Sequence, residues 1–146
     1  MATLDHIQEM WKTDCVIDED NLDKESVRSA SLHQKYLDHY VENKLKLAKL
    51  NSDMANLRRT KAKYYRGEMT KEELQHYGWD QWLYNKPLKS EMDEVLDGDV
   101  DVCNLRIKVE YIASIMFYLE SVLQQIKSRD WQIKNCLEYK KFIVGM

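Results

Sequence analysis

Five cations, Arg58, Arg59, Lys61, Lys63 and Arg66, fall within the stretch Leu57 to Gly67, and no acidic residue interrupts them. Clustered cations can track a phosphate backbone, and the adjoining rings of Tyr64 and Tyr65 offer faces on which unpaired bases stack. These seven side chains are the candidate nucleic-acid-binding set. The competing explanation is a solvated helix end, since cations are favoured where the helix macrodipole turns negative and Gly67 is a natural stop.

Other groupings fail on spacing. Asp18, Glu19 and Asp20 are adjacent in sequence, whereas oxygen ligands for a metal must come from alternating positions and converge, so this triplet reads as a solvated loop. The run Asp97-Gly98-Asp99-Val100-Asp101 begins like a calcium loop but places Val102 where the sharp turn needs Gly and Lys108 where the last ligand should be Glu. Cys15, Cys103 and Cys136 form no CxxC pair and no ligand set with His6, His33, His39 or His76. They are expected to be reduced and buried, in a cytoplasm. With no P-loop, nucleophile elbow or Cys/His constellation, neither catalysis nor a metal or other cofactor is expected. No apolar run approaches the length of a membrane span and no export signal opens the chain, so neither membrane nor secretion is indicated.

A chain of 146 residues makes one domain, or one domain with an arm. Its net charge of −3 argues against a uniformly cationic surface, but the charge is unevenly placed. Met1 to Glu25 carries 8 acidic and 2 basic residues, and Val41 to Lys71 carries 9 basic and 3 acidic. An acidic arm and a basic segment can serve different partners, or each other.

The element that must carry the basic run is a long helix from Ser26 to Arg66, free of Gly and Pro. Its apolar residues recur at steps of three and four in two sets, Leu37, Val41, Leu45 and Ala48, then Leu47, Leu50, Met54 and Leu57. At 1.5 Å per residue it would extend roughly 60 Å, while a compact monomer of this size spans only about 40 Å. Partners are therefore expected on both sides, from the same chain and from other subunits.

Before it, Thr3 should cap a short helix bearing Leu4, Ile7, Met10 and Trp11 that packs as a satellite. After it, Thr70 to Glu73 reads as a capping box opening a short helix through Tyr77. A connector rich in rings follows, with Trp79, Trp82, Tyr84 and Pro87, either covering the end of a bundle or offering a stacking surface beside Tyr64 and Tyr65. Ser90 to Asp93 starts another short helix closed by Gly98, and Asp99 or Asp101 caps the next. A strong apolar helix runs from Val102 to Lys127, expected to be surrounded between Tyr111 and Leu123. Ser128-Arg129-Asp130 should interrupt it, with Asp130 capping a last helix that stays apolar to the chain end. Ends this apolar need docking, which makes Leu119, Leu123, Ile126, Trp131, Ile133, Leu137 and Phe142 the candidate oligomerisation set.

The expected fold is all-α: an elongated helical hairpin or bundle with a long central helix and a C-terminal helix used in homo-oligomerisation, which the resemblance described next implies is ring-shaped. Two regions are expected, residues 1–88 for DNA binding and 89–146 for oligomerisation.

Lys89-Ser90-Glu91-Met92, Val95-Leu96, Asp101-Val102, Ile126-Lys127-Ser128-Arg129, Ile133-Lys134 and Phe142 resemble the UvsY family of recombination mediators from T-even-type phages. Leu4, Ile7, Lys12, Val16-Ile17-Asp18 and the basic run ending in Tyr64-Tyr65 line up as well. The resemblance implies a small helical protein that assembles into a ring of six or seven copies and binds single-stranded DNA. It also implies loading of a RecA-like recombinase, UvsX, onto DNA coated by the phage single-strand-binding protein, in the cytoplasm of the infected bacterium. The family's Lys-Ala-Arg-Leu motif falls on Arg59-Thr60-Lys61-Ala62, with the two cations exchanged, and an Arg fork grips phosphate differently from a Lys point charge. The Trp-rich segment Glu68 to Leu88 departs from the family pattern. Against this stands a different class of protein, a helical adaptor or assembly chaperone that binds no DNA.

Overall fold

The computed structural model describes residues 2–145, and every regular element among them is helical. Helix α1 spans Leu4–Asp14, α2 Leu22–Tyr65, α3 Lys71–Tyr77, α4 Met92–Asp97 and α5 Val100–Ile143, with a 3-10 turn at Glu19–Asn21. The all-α class and the long central helix agree with expectation, α2 being 44 residues long.

Helix starts are set by side-chain oxygens that satisfy free N–H groups. Thr3 Oγ1 accepts from the His6 N–H, Thr70 and Glu73 form the full capping box, and Asp99 Oδ1 accepts from the N–H groups of Asp101 and Val102 at 2.9 and 3.1 Å. Two stops use left-handed glycine, Gly67 and Gly78, with φ of 71° and 70°. In each, the next N–H reaches back to a carbonyl of the last turn, Glu68 to Lys63 and Trp79 to Leu74.

The chain divides into two compact units, one formed by residues up to Lys46 together with Ile112 onward, the other by Leu47–Tyr111. Both long helices contribute to both units, and the expected boundary after residue 88 falls inside the second. In the first unit the buried side chains are Ile112, Ile115, Leu119, Val122, Ile126 and Ile133 of α5, spaced by three, four or seven residues, together with Leu32 and Tyr36 of α2 and Ile7 of α1. Full burial of one such side chain contributes about 1.5–3 kcal/mol. The Trp11 ring meets Tyr36 edge-on at 5.4 Å, which docks α1. Here α2 and α5 run antiparallel, with Glu25 joined to Arg129 and Tyr40 to Glu120.

Three expectations about the helices and cysteines are corrected. Ser128-Arg129-Asp130 does not break the helix: α5 continues to Ile143. Ser128 Oγ donates back to the Gln124 carbonyl, and Arg129 turns inward to a carboxylate instead of outward to water. Within the single chain Tyr111 to Leu123 is not surrounded: Phe117 stays exposed on the face opposite the core, and Tyr111 is 44% exposed. The cysteines are free but not buried, Cys15 being exposed and Cys103 and Cys136 partly so. On α2, Val41 and Leu45 of the first apolar set are also left bare within the single chain.

The second unit packs the end of α2 against α3, the connector, α4 and the start of α5. Its buried residues include Leu96 and Val102, and with them two charged ones, Lys61 and Asp99.

Candidate nucleic-acid interface

The basic run occupies the last two turns of α2 and Arg66 just beyond them, and acidic residues from later segments come to meet it. Arg58 Nη1 donates to Asp97 Oδ1 at 2.8 Å and Nη2 to Asp93 Oδ1 at 3.3 Å. Lys61 Nζ lies 3.2 Å from Asp99 and 2.8 Å from Asp101, and only 6% of the residue is exposed. Lys63 pairs with Glu73 at 2.8 Å and Arg66 with Glu68 at 3.2 Å. Arg59 differs: it is exposed, its Nη2 donates to Asn56 Oδ1, and among the described residues no carboxylate pairs with it.

Asp99 is the hub of this unit. Besides capping α5 and pairing with Lys61, its Oδ2 accepts from the Tyr65 hydroxyl at 2.6 Å. Burial alone would raise its pKa, but the hydrogen bonds from Tyr65 and Val102 and the charge of Lys61 outweigh it and hold the carboxyl below the usual range. The Tyr65 phenol moves the other way, pushed up by burial and by the adjacent Asp99 carboxylate. At the exposed Asp97, the Arg58 hydrogen bond is the main cause of a lowered pKa.

The two tyrosines belong to an aromatic cluster. The turn after Gly78 sets Trp79 at 5.3 Å from Tyr64, and Tyr77 stacks on Trp79 at 4.5 Å. Trp82 meets Tyr65 edge-on at 4.8 Å. Lys61 Nζ sits 4.0 Å from the Trp79 ring centroid, a cation–π contact that adds to its ion pairs. The Tyr64 hydroxyl donates to the Asp80 carbonyl. In the connector, Trp79 and Trp82 pack on the rings at the end of α2, while Tyr84 stands exposed beside Trp82. The strap returns to the helix end, since a β-carbon at Gly67 would come within 3.0 Å of Lys86 Cε.

Sequence spacing could not pair these cations with their acids. The partners lie 35 and 39 residues away for Arg58, and the one local hint is the recurrence of Asp93, Asp97 and Asp101 at four-residue steps. Among the described residues no group of His, Cys, Asp or Glu is placed to hold a metal ion, and no helix is long and apolar enough to cross a membrane.

A recombination protein, uvsY of Enterobacteria phage T4, is 26% identical to this chain over 142 residues, 97% of the chain and 98% of that protein. Crystal structures of the bacteriophage T4 recombination mediator protein UvsY in two lattices match with TM-scores of 0.85 and 0.84, at 24% and 23% identity. The first match covers 99% of both chains, the second 97% of this chain and 99% of the other. At that identity the likeness is one of fold. The family described as "Recombination, repair and ssDNA binding protein UvsY" matches residues 10–146. The chain belongs to the UvsY family.

As a UvsY-family protein it is a recombination mediator, a non-enzymatic role. The residues expected to assemble copies of it divide in the structure. Leu119, Ile126 and Ile133 are buried in the core of their own unit, and Leu123 is partly covered. Trp131, Leu137 and Phe142 are exposed, together with Ile143 and Val144. Part of the set thus builds the subunit and part remains uncovered.

Proposed function

We propose that this UvsY-family chain binds single-stranded DNA through the end of α2 and assembles into a ring of six or seven copies. In the cytoplasm of the infected host it loads a RecA-like recombinase onto DNA coated by the phage single-strand-binding protein. The observation that carries the DNA contact is Arg59, an exposed guanidinium within the run and without a carboxylate partner among the described residues. Arg58, Lys63 and Arg66 are solvent-accessible cations around it, in ion pairs that phosphate can exchange. Lys61 has a different part: buried between Asp99, Asp101 and Trp79, it positions the site from within. Tyr64 and Tyr65, partly exposed, anchor the ring cluster on which bases stack.

A few phosphate contacts per subunit bind weakly alone, and a ring links them so that each later one forms at high effective concentration. The uncovered apolar side chains Trp131, Leu137 and Phe142 support assembly through the C-terminal part of α5. Loading requires that the ring hold DNA in a form that the single-strand-binding protein grips less well and the recombinase better. Phosphates and ring faces carry little sequence information, so base preference should be slight. No nucleotide turnover is expected.

A second reading, a helical adaptor that binds no DNA, gains support from the ion pairing itself, because four of the five cations already have carboxylate partners. Titration of a fluorescent oligonucleotide at low and high salt, with native mass measured alongside, separates the two. Salt-sensitive binding by a multimer supports mediation; absence of binding at low salt supports the adaptor.

A further inference from the structure

Arg58 is held differently from every other cation of the run. Its fork spans two carboxylates one turn apart on α4, Asp97 at 2.8 Å and Asp93 at 3.3 Å, so two oxygens face two guanidinium nitrogens much as phosphate oxygens would. Both acids are open to solvent, with 59% of the Asp97 side chain and 92% of the Asp93 side chain exposed. Asp97 is shared with Arg106, whose Nη2 lies 3.4 Å from the same oxygen. Contrast Lys61, itself buried, with Asp99 buried beside it and only Asp101 half exposed. An exposed ion pair contributes little and exchanges readily, so the Arg58 pair can yield to another anion where the Lys61 pair cannot.

We infer that Asp93 and Asp97 are specificity-determining residues that guard Arg58, admitting a phosphodiester strand already held at the neighbouring Arg59 and excluding isolated anions. The inference rests on the single-strand reading of the site. A free phosphate must displace two carboxylates from bulk concentration. A strand anchored one residue away presents its next phosphate at a far higher effective concentration. The guard thus makes the grip depend on strand continuity, and it keeps the run from binding any small anion it meets. Freed of its carboxylates, Arg58 would engage a phosphate in every subunit.

The test uses the full chain, fluorescent oligo(dT) over a range of salt, and a mononucleotide as competitor. Asp93→Asn with Asp97→Asn should tighten oligonucleotide binding by about three- to tenfold. The salt dependence should steepen by about 0.7 log units per log unit for each additional phosphate engaged, and the mononucleotide should now compete. On an Arg58→Ala background the same two changes free only Arg106, and most of the gain should be lost. A charge-matched control, Asp53→Asn with Glu72→Gln, alters two exposed acids that make no ion pair among the described residues, and should leave the slope unchanged. Asp93→Asn alone, which leaves Asp97 on both arginines, guards against a folding defect and should show a smaller gain in the same direction. A gain equal to the control, or one undiminished by Arg58→Ala, would overturn the guard while leaving DNA binding intact. Failure of the unmodified chain to bind at low salt would remove the single-strand reading, and the guard with it.

Discussion

Arg129 in the first unit and Arg58 in the second each reach from one long helix to a carboxylate far away in the chain. Arg129 is 2% exposed; the Arg58 side chain is 29% exposed. Arg129 Nη2 donates to Glu25 Oε2 at 2.8 Å and to the Glu25 carbonyl, while its Nε donates to Ser29 Oγ. Arg28 adds a second cation to Glu25 and ties in the carbonyls of Asp14 and Val16, so the cluster fastens the α1–α2 loop, α2 and α5 together. Burial decides what the pair can do. A buried guanidinium and carboxylate cannot part without leaving a charge stranded, whereas an exposed pair is weak and open to competitors. Lys61 is the buried kind set within the exposed run, which is why a cation in the middle of a candidate DNA site acts as architecture.

The comparison is broken most forcefully by removing one partner from each cluster. Arg129→Ala should destabilise the chain by about 3–5 kcal/mol in urea unfolding, because Glu25 is left buried with only Arg28. Arg58→Ala should cost under about 1 kcal/mol in the same assay. Similar losses at the two positions would mean that burial does not separate them.

Acid sharpens the same contrast with a smaller effect. Burial raises the Glu25 carboxyl, but hydrogen bonds from Arg28 and Arg129 outweigh it, so like Asp99 it titrates below its ordinary value. The unfolded chain therefore takes up protons first as the pH falls. Stability is present above the unfolded carboxylate range and is lost as pH drops through it toward the lower folded values. The urea midpoint should decline below about pH 4.5, and Asp99→Asn should flatten part of that decline. A midpoint independent of pH from neutrality to about pH 3 would contradict the assignment of both hubs.

Much of the frame was legible because its signals are local. Thr3, the Thr70–Glu73 box, Gly67, Gly78 and Asp99 each act within a few residues, and the Gly- and Pro-free stretch of α2 leaves no other element to form. What escaped the sequence depends on distant partners. Ser128-Arg129-Asp130 looks like a surface break until Glu25, 104 residues away, is seen to receive the arginine. The basic run was found, but its division into buried Lys61, guarded Arg58 and open Arg59 follows from acids on α4 and α5 that no periodicity assigns to it. The apolar residues of α5 were likewise visible, while which stripe faces inward depends on the register set by Arg129 and Tyr40.

The most direct test of the division is the salt slope of oligonucleotide binding measured for Arg59→Ala and Lys61→Met side by side, each corrected for its folded fraction by circular dichroism. Arg59→Ala should lower the slope by about 0.7 for each phosphate that the chain no longer engages, and Lys61→Met should unfold more easily yet keep the slope of the unmodified chain. A slope flattened by Lys61→Met, with that of Arg59→Ala unchanged, would contradict the account.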